Sequence, residues 1–244
     1  MPQVLILRFD APLISFGGVI VDENGVTRQF PGCAMLTGLL ANALGYDHCD
    51  FPLLQALQQR LRYAVRCDLP GREIADFQTV DLSPLWMRQG WTTRGIVEGR
   101  AGGTASTGTH IRHRRFIADS VHTISLTLID EDRQPTLDDL EAALREPARP
   151  LFIGRKPCLP SEPILCGRVN ASTLLGALES YPLSLRARPG HPFNAWWPGD
   201  EDVGRPESRL IPITDERDWR NQIHVSRRWI HEGIINVDKP AVDD

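Results

Sequence analysis

His122-Thr123-Ile124-Ser125-Leu126-Thr127-Leu128-Ile129 alternates without a break. His122, Ile124, Leu126 and Leu128 fall on one side, and Thr123, Ser125 and Thr127 on the other. A period of two puts each set on one face of a pleated strand. The stretch therefore predicts a half-buried strand. Downstream, Thr136 stands before a segment with Asp138, Asp139 and Glu141 early and Arg145 late. Threonine accepts from free amides at a helix start, and that charge order matches the helix dipole. A helix is predicted there, then a strand over residues 164–169 and a short helix over 172–178.

The same succession stands upstream. Residues 4–9 are an apolar run that closes before Pro12, which reads as a buried strand. Leu36, Leu39, Leu40, Ala43 and Leu44 recur at helical spacing, and Gly45 is a natural stop. Residues 52–61 repeat that pattern loosely. Over residues 62–68, Tyr63, Val65 and Cys67 face one way and Arg62, Arg66 and Asp68 the other, again a half-buried strand. Residues 77–80 offer one more short strand. Between residues 82 and 116, Gly90, Gly95, Gly99, Gly102, Gly103 and Gly108 interrupt any helix. This is an inserted arm. The whole reads strand, helix, strand, arm, strand, helix, strand. That is the ferredoxin-like order, an α+β fold with one sheet and helices on one face. The expected division is a palm over residues 1–81 and 117–180, an arm over 82–116, and an irregular C-terminal extension over 181–244.

With 244 residues, 41% hydrophobic and 24% charged, the composition is ordinary for a globular chain. No stretch approaches the roughly 20 apolar residues of a membrane helix, so a cytoplasmic location is expected. The five cysteines are scattered and form no Cys-x-x-Cys pair, the pattern of reduced thiols rather than a zinc site or a disulfide frame. Net charge is −4, yet lysine occurs only at positions 156 and 239, so 25 of the 27 basic residues are arginine. Arginine is the better fork for phosphate and stacks on bases; a GC-rich genome also favours its codons. Between positions 88 and 115 stand Arg88, Arg94, Arg100, Arg112, Arg114 and Arg115 against one acid, Glu98. A balanced total hides a basic patch, and local field governs partners.

Several familiar sites are excluded. Gly103-x-x-x-x-Gly108-Thr109 has phosphate-loop spacing but no lysine to reach a nucleotide's phosphates. His110-x-x-His113 is a poor cation site beside Arg112, Arg114 and Arg115. No nucleophile elbow or serine triad is evident. The informative stretch is His110-Ile111-Arg112-His113-Arg114-Arg115-Phe116, in which five of seven residues can carry positive charge. Basic side chains cradle a nucleic-acid backbone and rings stack on its bases. An edge strand whose charges block aggregation would look the same. Trp86 and Trp91 serve equally as stacking platforms or as pins to the core. Gly154-Arg155-Lys156 is a second basic turn, where glycine lets amides approach a phosphate. Phe193, Trp196 and Trp197 suit either partner docking or core packing.

Five segments in order carry a resemblance. They are Leu5-Ile6-Leu7-Arg8; Phe30-Pro31 leading to Gly38-Leu39-Leu40-Ala41-Asn42-Ala43-Leu44-Gly45; Tyr63-Ala64-Val65-Arg66-Cys67-Asp68; Asp76-Phe77-Gln78-Thr79-Val80; and Leu151-Phe152-Ile153-Gly154-Arg155-Lys156-Pro157-Cys158. Together they resemble the CasD family, the type I-E CRISPR Cascade subunits that hold the 5′ handle of the guide RNA. The resemblance spans roughly residues 3–170. It implies a RAMP/RRM-like, ferredoxin-like palm, and a thumb hairpin where the basic arm falls. It implies crRNA as ligand, a Cascade backbone subunit and the large subunit as partners, and target DNA reached through the complex. It implies no catalysis, no cofactor and no metal. After Phe30-Pro31 the family has small-polar, basic and serine residues; here Gly32, Cys33 and Ala34 stand instead, and Arg28 is the candidate substitute.

The expected RNA contacts follow. Arg112, Arg114, Arg115, Arg155 and Lys156 are assigned to phosphates, and Arg94 and Arg100 extend the patch. Arg28, His110 and the amides at Gly154 and near Gly32 complete it. His113, Phe116 or Trp91 would stack bases. Two rival classes remain: a metal-independent endoribonuclease processing precursor crRNA with His110, His113 or His122 as base, and a module whose arm binds an acidic protein surface.

Overall fold

The computed structural model describes residues 2–20, 23–84, 89–91, 96–99, 108–130, 132–188 and 192–237. In chain order the elements are β1 (Gln3–Asp10), β2 (Leu13–Ile14), β3 (Asn24–Gly25), α1 (Cys33–Leu44), α2 (Phe51–Arg60), β4 (Leu61–Leu69), β5 (Arg72–Asp81), β6 (Gln89–Trp91), β7 (Val97–Gly99), β8 (Thr109–Ala118) and β9 (Val121–Leu128). There follow α3 (Leu137–Arg145), β10 (Leu165–Asn170), α4 (Leu174–Ser180), β11 (Phe193–Pro198), β12 (Ser208–Ile213), β13 (Glu216–Asp218), β14 (Ile223–Val225) and β15 (Arg228–Ile235).

Seven strands form one sheet in the order β10-β1-β9-β4-β11-β15-β12, each pair antiparallel. Both faces of it are covered. Leu5, Leu7 and Phe9 of β1 join Leu36 and Leu40 of α1, Leu57 of α2 and Leu140 of α3 in one core. Val4 and Ile6 point the other way, into a second core with Leu174, Leu175 and Leu178 of α4 and Trp197. A continuous apolar run suits a strand buried on both sides. Helix ends match the sequence: Thr136 closes a reciprocal capping box with Asp139, and Gly45 ends α1 in the left-handed region at φ 84.

Three expectations change. The helices do not share one face, because α4 roofs the second. The polar sides of β4 and β9 therefore meet protein, not water. Arg66 is fully buried and forks Asp68, with further bonds to the Leu178, Tyr181 and Pro182 carbonyls. Thr123 donates to Asp68 at 2.8 Å, and Ser125 to the Leu174 carbonyl at 2.7 Å. The C-terminal region is not irregular. β11 pairs with the open edge of β4, and β15 and β12 extend the sheet beyond it. Trp196 and Trp197 are buried there, which settles them as core.

The arm rises from a second, smaller sheet. β5 pairs with β8 over ten residues, from Arg72↔Ala118 to Asp81↔Thr109. β2 and β3 line the other edge of β8. β6 and β7 pair as a further small ladder. Among the described residues no helix is long and apolar enough to cross a membrane.

Candidate nucleic-acid interface

The informative stretch lies on β8, and the strand's period of two divides it. His110, Arg112, Arg114 and Phe116 share one face with Val80, Gln78, Asp76 and Ile74 of β5. Ile111, His113 and Arg115 share the opposite face with Thr79, Phe77 and Ala75. The expected block of three arginines is therefore split. Arg112 and Arg114 stand together; Arg115 stands apart and is ion-paired with Glu73.

β3 runs parallel beside β8, with Gly25 opposite Arg114. The turn after residue 153 brings Arg155 to the same spot. A Cβ on Gly25 would lie 2.7 Å from Arg114 Nη1 and 2.8 Å from Arg155 Nη2. Two guanidiniums thus converge beside Gly25, and a side chain there would have to push them aside. Nη1 of Arg114 and Nη1 of Arg155 are both buried, and neither has a hydrogen-bond partner among the described residues. Burial first, and then the Arg114 charge, push Arg155 below its ordinary pKa. Like charges pressed together with buried donors unspent are costly. An anion between them would satisfy both.

Other expected contacts move. Phe116 is only 4% exposed and lies beneath Arg155, whose guanidinium carbon is 5.1 Å from the ring centroid. It holds Arg155 in place and offers no face to a base. His113 packs against Phe77, ring centroids 5.3 Å apart. Phe77 is 59% exposed, an aromatic that the sequence reading passed over because its strand was short and weakly patterned.

Gly154 sits at φ +92, and a Cβ there would be 1.7 Å from the Ser15 carbonyl oxygen. Its glycine is required by its own chain. Its amide donates to the Phe152 carbonyl at 3.1 Å and is not offered to a phosphate. Lys156 is exposed on the same turn. Arg28 donates to the Thr214 carbonyl, which ties it to the C-terminal region. Arg94 and Arg100 lie outside the described residues, as do Trp86 and the side chain of Trp91.

The amides near Gly32 are taken as well. At the start of α1, Cys33 N–H donates to Asp215 Oδ2 at 2.8 Å and Ala34 N–H to the Asp215 carbonyl at 2.9 Å. Burial would raise the Asp215 carboxyl, but hydrogen bonds and charge from Arg228 outweigh it and hold the group below the usual carboxylate range. Helix amides favour an anion, and here the protein supplies its own.

The candidate bases do not converge. His110 and His113 point from opposite faces of β8, so they share neither a substrate nor a metal. His122 is buried, bonded to the Gln29 carbonyl at 3.0 Å and set edge-on to Phe16. Burial pushes its pKa down to about 4.

Sequence reasoning missed a groove of about 620 Å³ along α1, closed on one side by Arg217, Trp219 and His224 of the β13–β14 hairpin. The signal was present: Arg217-Asp218-Trp219-Arg220 has the same mixture of arginine and ring that marked residues 110–116.

These features have counterparts among known proteins. A solved chain titled "CRISPR RNA-guided surveillance complex" matches at a TM-score of 0.65, with 22% identity, covering 96% of this chain and 90% of that one. A second, titled "Crystal structure of Cas protein", matches at 0.64, with 24% identity and 98% of each chain covered. These likenesses concern the fold. In sequence, the chain is 31% identical over 181 residues to the CRISPR system Cascade subunit CasD of Escherichia coli (strain K12), covering 74% of this chain and 78% of that protein. The family model described as CRISPR-associated protein (Cas_Cas5) matches residues 4–237. A match that runs from β1 through β15, joined to a relative this similar, settles the family: the chain belongs to the CRISPR-associated Cas5 proteins.

Proposed function

We propose that this chain is the Cascade subunit that binds and caps the 5′ handle of crRNA in a CRISPR surveillance complex, and that it does so without catalysis. Its likeness to CasD supports the assembly. The observation that carries RNA binding is the Arg114–Arg155 pair: the two guanidiniums meet at Gly25, and each has a buried Nη1 without a partner among the described residues. A phosphate there would receive charge-assisted bonds from both guanidiniums. Arg112 shares the face of Arg114, and Lys156 the turn of Arg155.

In this reading, β10-β1-β9-β4 with α1 and α3 on one face is a ferredoxin-like palm. The β5–β8 hairpin is the stem of the thumb. Its opposite face carries exposed Phe77 and Ile111 and suits contact with the backbone subunit. The large subunit and target DNA are met through the assembled complex, in the cytoplasm.

The test is one gel. The purified chain is incubated with labelled CRISPR repeat RNA in EDTA and run in native and denaturing lanes. A shifted, intact band is expected. Cleavage would favour the endoribonuclease reading. Neither shift nor cleavage, with the backbone subunits also present, would favour a protein-only interface.

A further inference from the structure

A second pocket, of about 360 Å³, opens at the end of the large sheet where β4 and β15 begin and β11 ends. It shares no lining residue with the groove along α1. β13 stands between the two, and its alternation sends Arg217 into the groove and Glu216 into this pocket. Cys33, Leu61 and Tyr63 line it, and all three are buried. Burial pushes the Cys33 thiol up to about 12, so the thiol carries no charge.

The charged lining is unevenly matched. Arg62 is paired with Asp200, and Arg228 is forked by Asp215 and donates to the Tyr63 hydroxyl. Glu216 has no ion-pair partner among the described residues, yet its charge reaches Cys33. The pocket with the acids that hold its arginines thus carries one unspent negative charge above an apolar lining. Its mouth is apolar too. Trp229 lines it and is 49% exposed. A Cβ on Gly199 would lie 2.8 Å from the Trp229 carbonyl oxygen and 3.1 Å from Leu210 Cδ1, so exposed Leu210 adjoins the same rim.

We propose that this pocket takes one arginine or lysine side chain from another protein chain of the assembly, its cation on Glu216 and its apolar neighbours on Trp229 and Leu210. A long basic side chain lays its methylenes on apolar surface and keeps its charge at a polar end, and an exposed tryptophan beside a pocket is the usual anchor of a protein contact. Arg227 already lies over the Trp229 ring, 5.0 Å from its centroid, so the incoming cation goes to the carboxylate and not to the ring. A nucleic-acid phosphate would be repelled by Glu216. The inference rests on membership of a Cascade assembly and not on the RNA-binding reading.

The test uses the full chain in the assembled complex, with a benzophenone amino acid in place of Gln59, which is exposed and lines the pocket. Irradiation should join it to one protein segment that carries an arginine or lysine between apolar residues. Glu216→Gln should weaken assembly about tenfold or more, as loss of one partner of a charged contact does, while its melting and its RNA affinity stay near the wild type. Trp229→Ala should weaken assembly as well; if it melts early, Glu216→Gln carries the test alone. Replacing the joined basic residue by Glu should restore binding to Glu216→Lys. A crosslink to RNA, to a segment without a basic residue or to no protein would overturn the proposal. So would unchanged assembly of Glu216→Gln. RNA affinity is read on the same variants, so failure here and failure of RNA binding are told apart.

Discussion

The start of α1 and the Arg114–Arg155 pair are both built for anions, and the chain treats them differently. At α1, the backbone amides of Cys33 and Ala34 are met by Asp215, itself held by Arg228. At Gly25, two guanidiniums meet, and among the described residues no carboxylate bonds their buried Nη1 atoms. The first site is completed by the protein and works for stability. The second is left with donors to spend, which is what the proposed RNA contact would use. Positive potential alone does not separate such sites; the presence or absence of an internal acid does.

That comparison yields tests in descending order of effect. Asp215→Asn should cost about 2–4 kcal/mol, because Arg228 is then left largely buried without its counter-charge. Thermal unfolding should show a fall of roughly 5–15 °C for a chain of this size. The sign with pH follows from the lowered carboxyl. Its stabilisation is present above the ordinary aspartate value near 3.9 and is lost as pH falls through the lower folded value. The variant should lose that part of its acid dependence.

Replacing Arg112, Arg114 and Arg155 together with Ala should weaken RNA binding about 100-fold, if each contact contributes about 1 kcal/mol after solvent exchange. The salt slope should flatten by about 2 units, at about 0.7 per phosphate on a single strand. Melting should hardly fall, since the change relieves like charges. A large loss of stability with no loss of RNA would reverse the comparison. Arg115→Ala should do least. Its partner Glu73 makes an exposed pair contributing up to about 1 kcal/mol, and binding should change less than about threefold. An Arg115 effect as large as the triple would mean that both faces of β8 touch RNA.

Much of the sheet was legible before any coordinates. β1, α1, β4, β9, α3 and β10 all stand where periodicity and caps put them. Exposure was not legible. Alternation in β4 and β9 reports polarity, and α4 later roofs the polar side, so Arg66, Thr123 and Ser125 exchange water for protein partners. The basic stretch was legible as a charge run but not as a surface. A count along the chain adds Arg115 to Arg114, whereas a strand turns them opposite ways. The Arg155 partnership with Phe116 and Gly25 joins positions far apart in sequence, beyond any local window. Asp215 was invisible for the same reason, since its meaning depends on a helix 182 residues earlier.

The placement of β11, β12 and β15 has a consequence for synthesis. The ribosome delivers β4 long before β11, the strand that covers its free edge. Until β11 has emerged, that edge shows unpaired amides and carbonyls, and α1 waits for its cap until Asp215 follows. An open edge is a template for the wrong neighbour, and distant pairing is slow to form. A nascent chain of this protein is therefore most exposed to aggregation between the synthesis of β4 and that of β11. A slow codon placed before β11 should lower soluble yield more than one placed after β15.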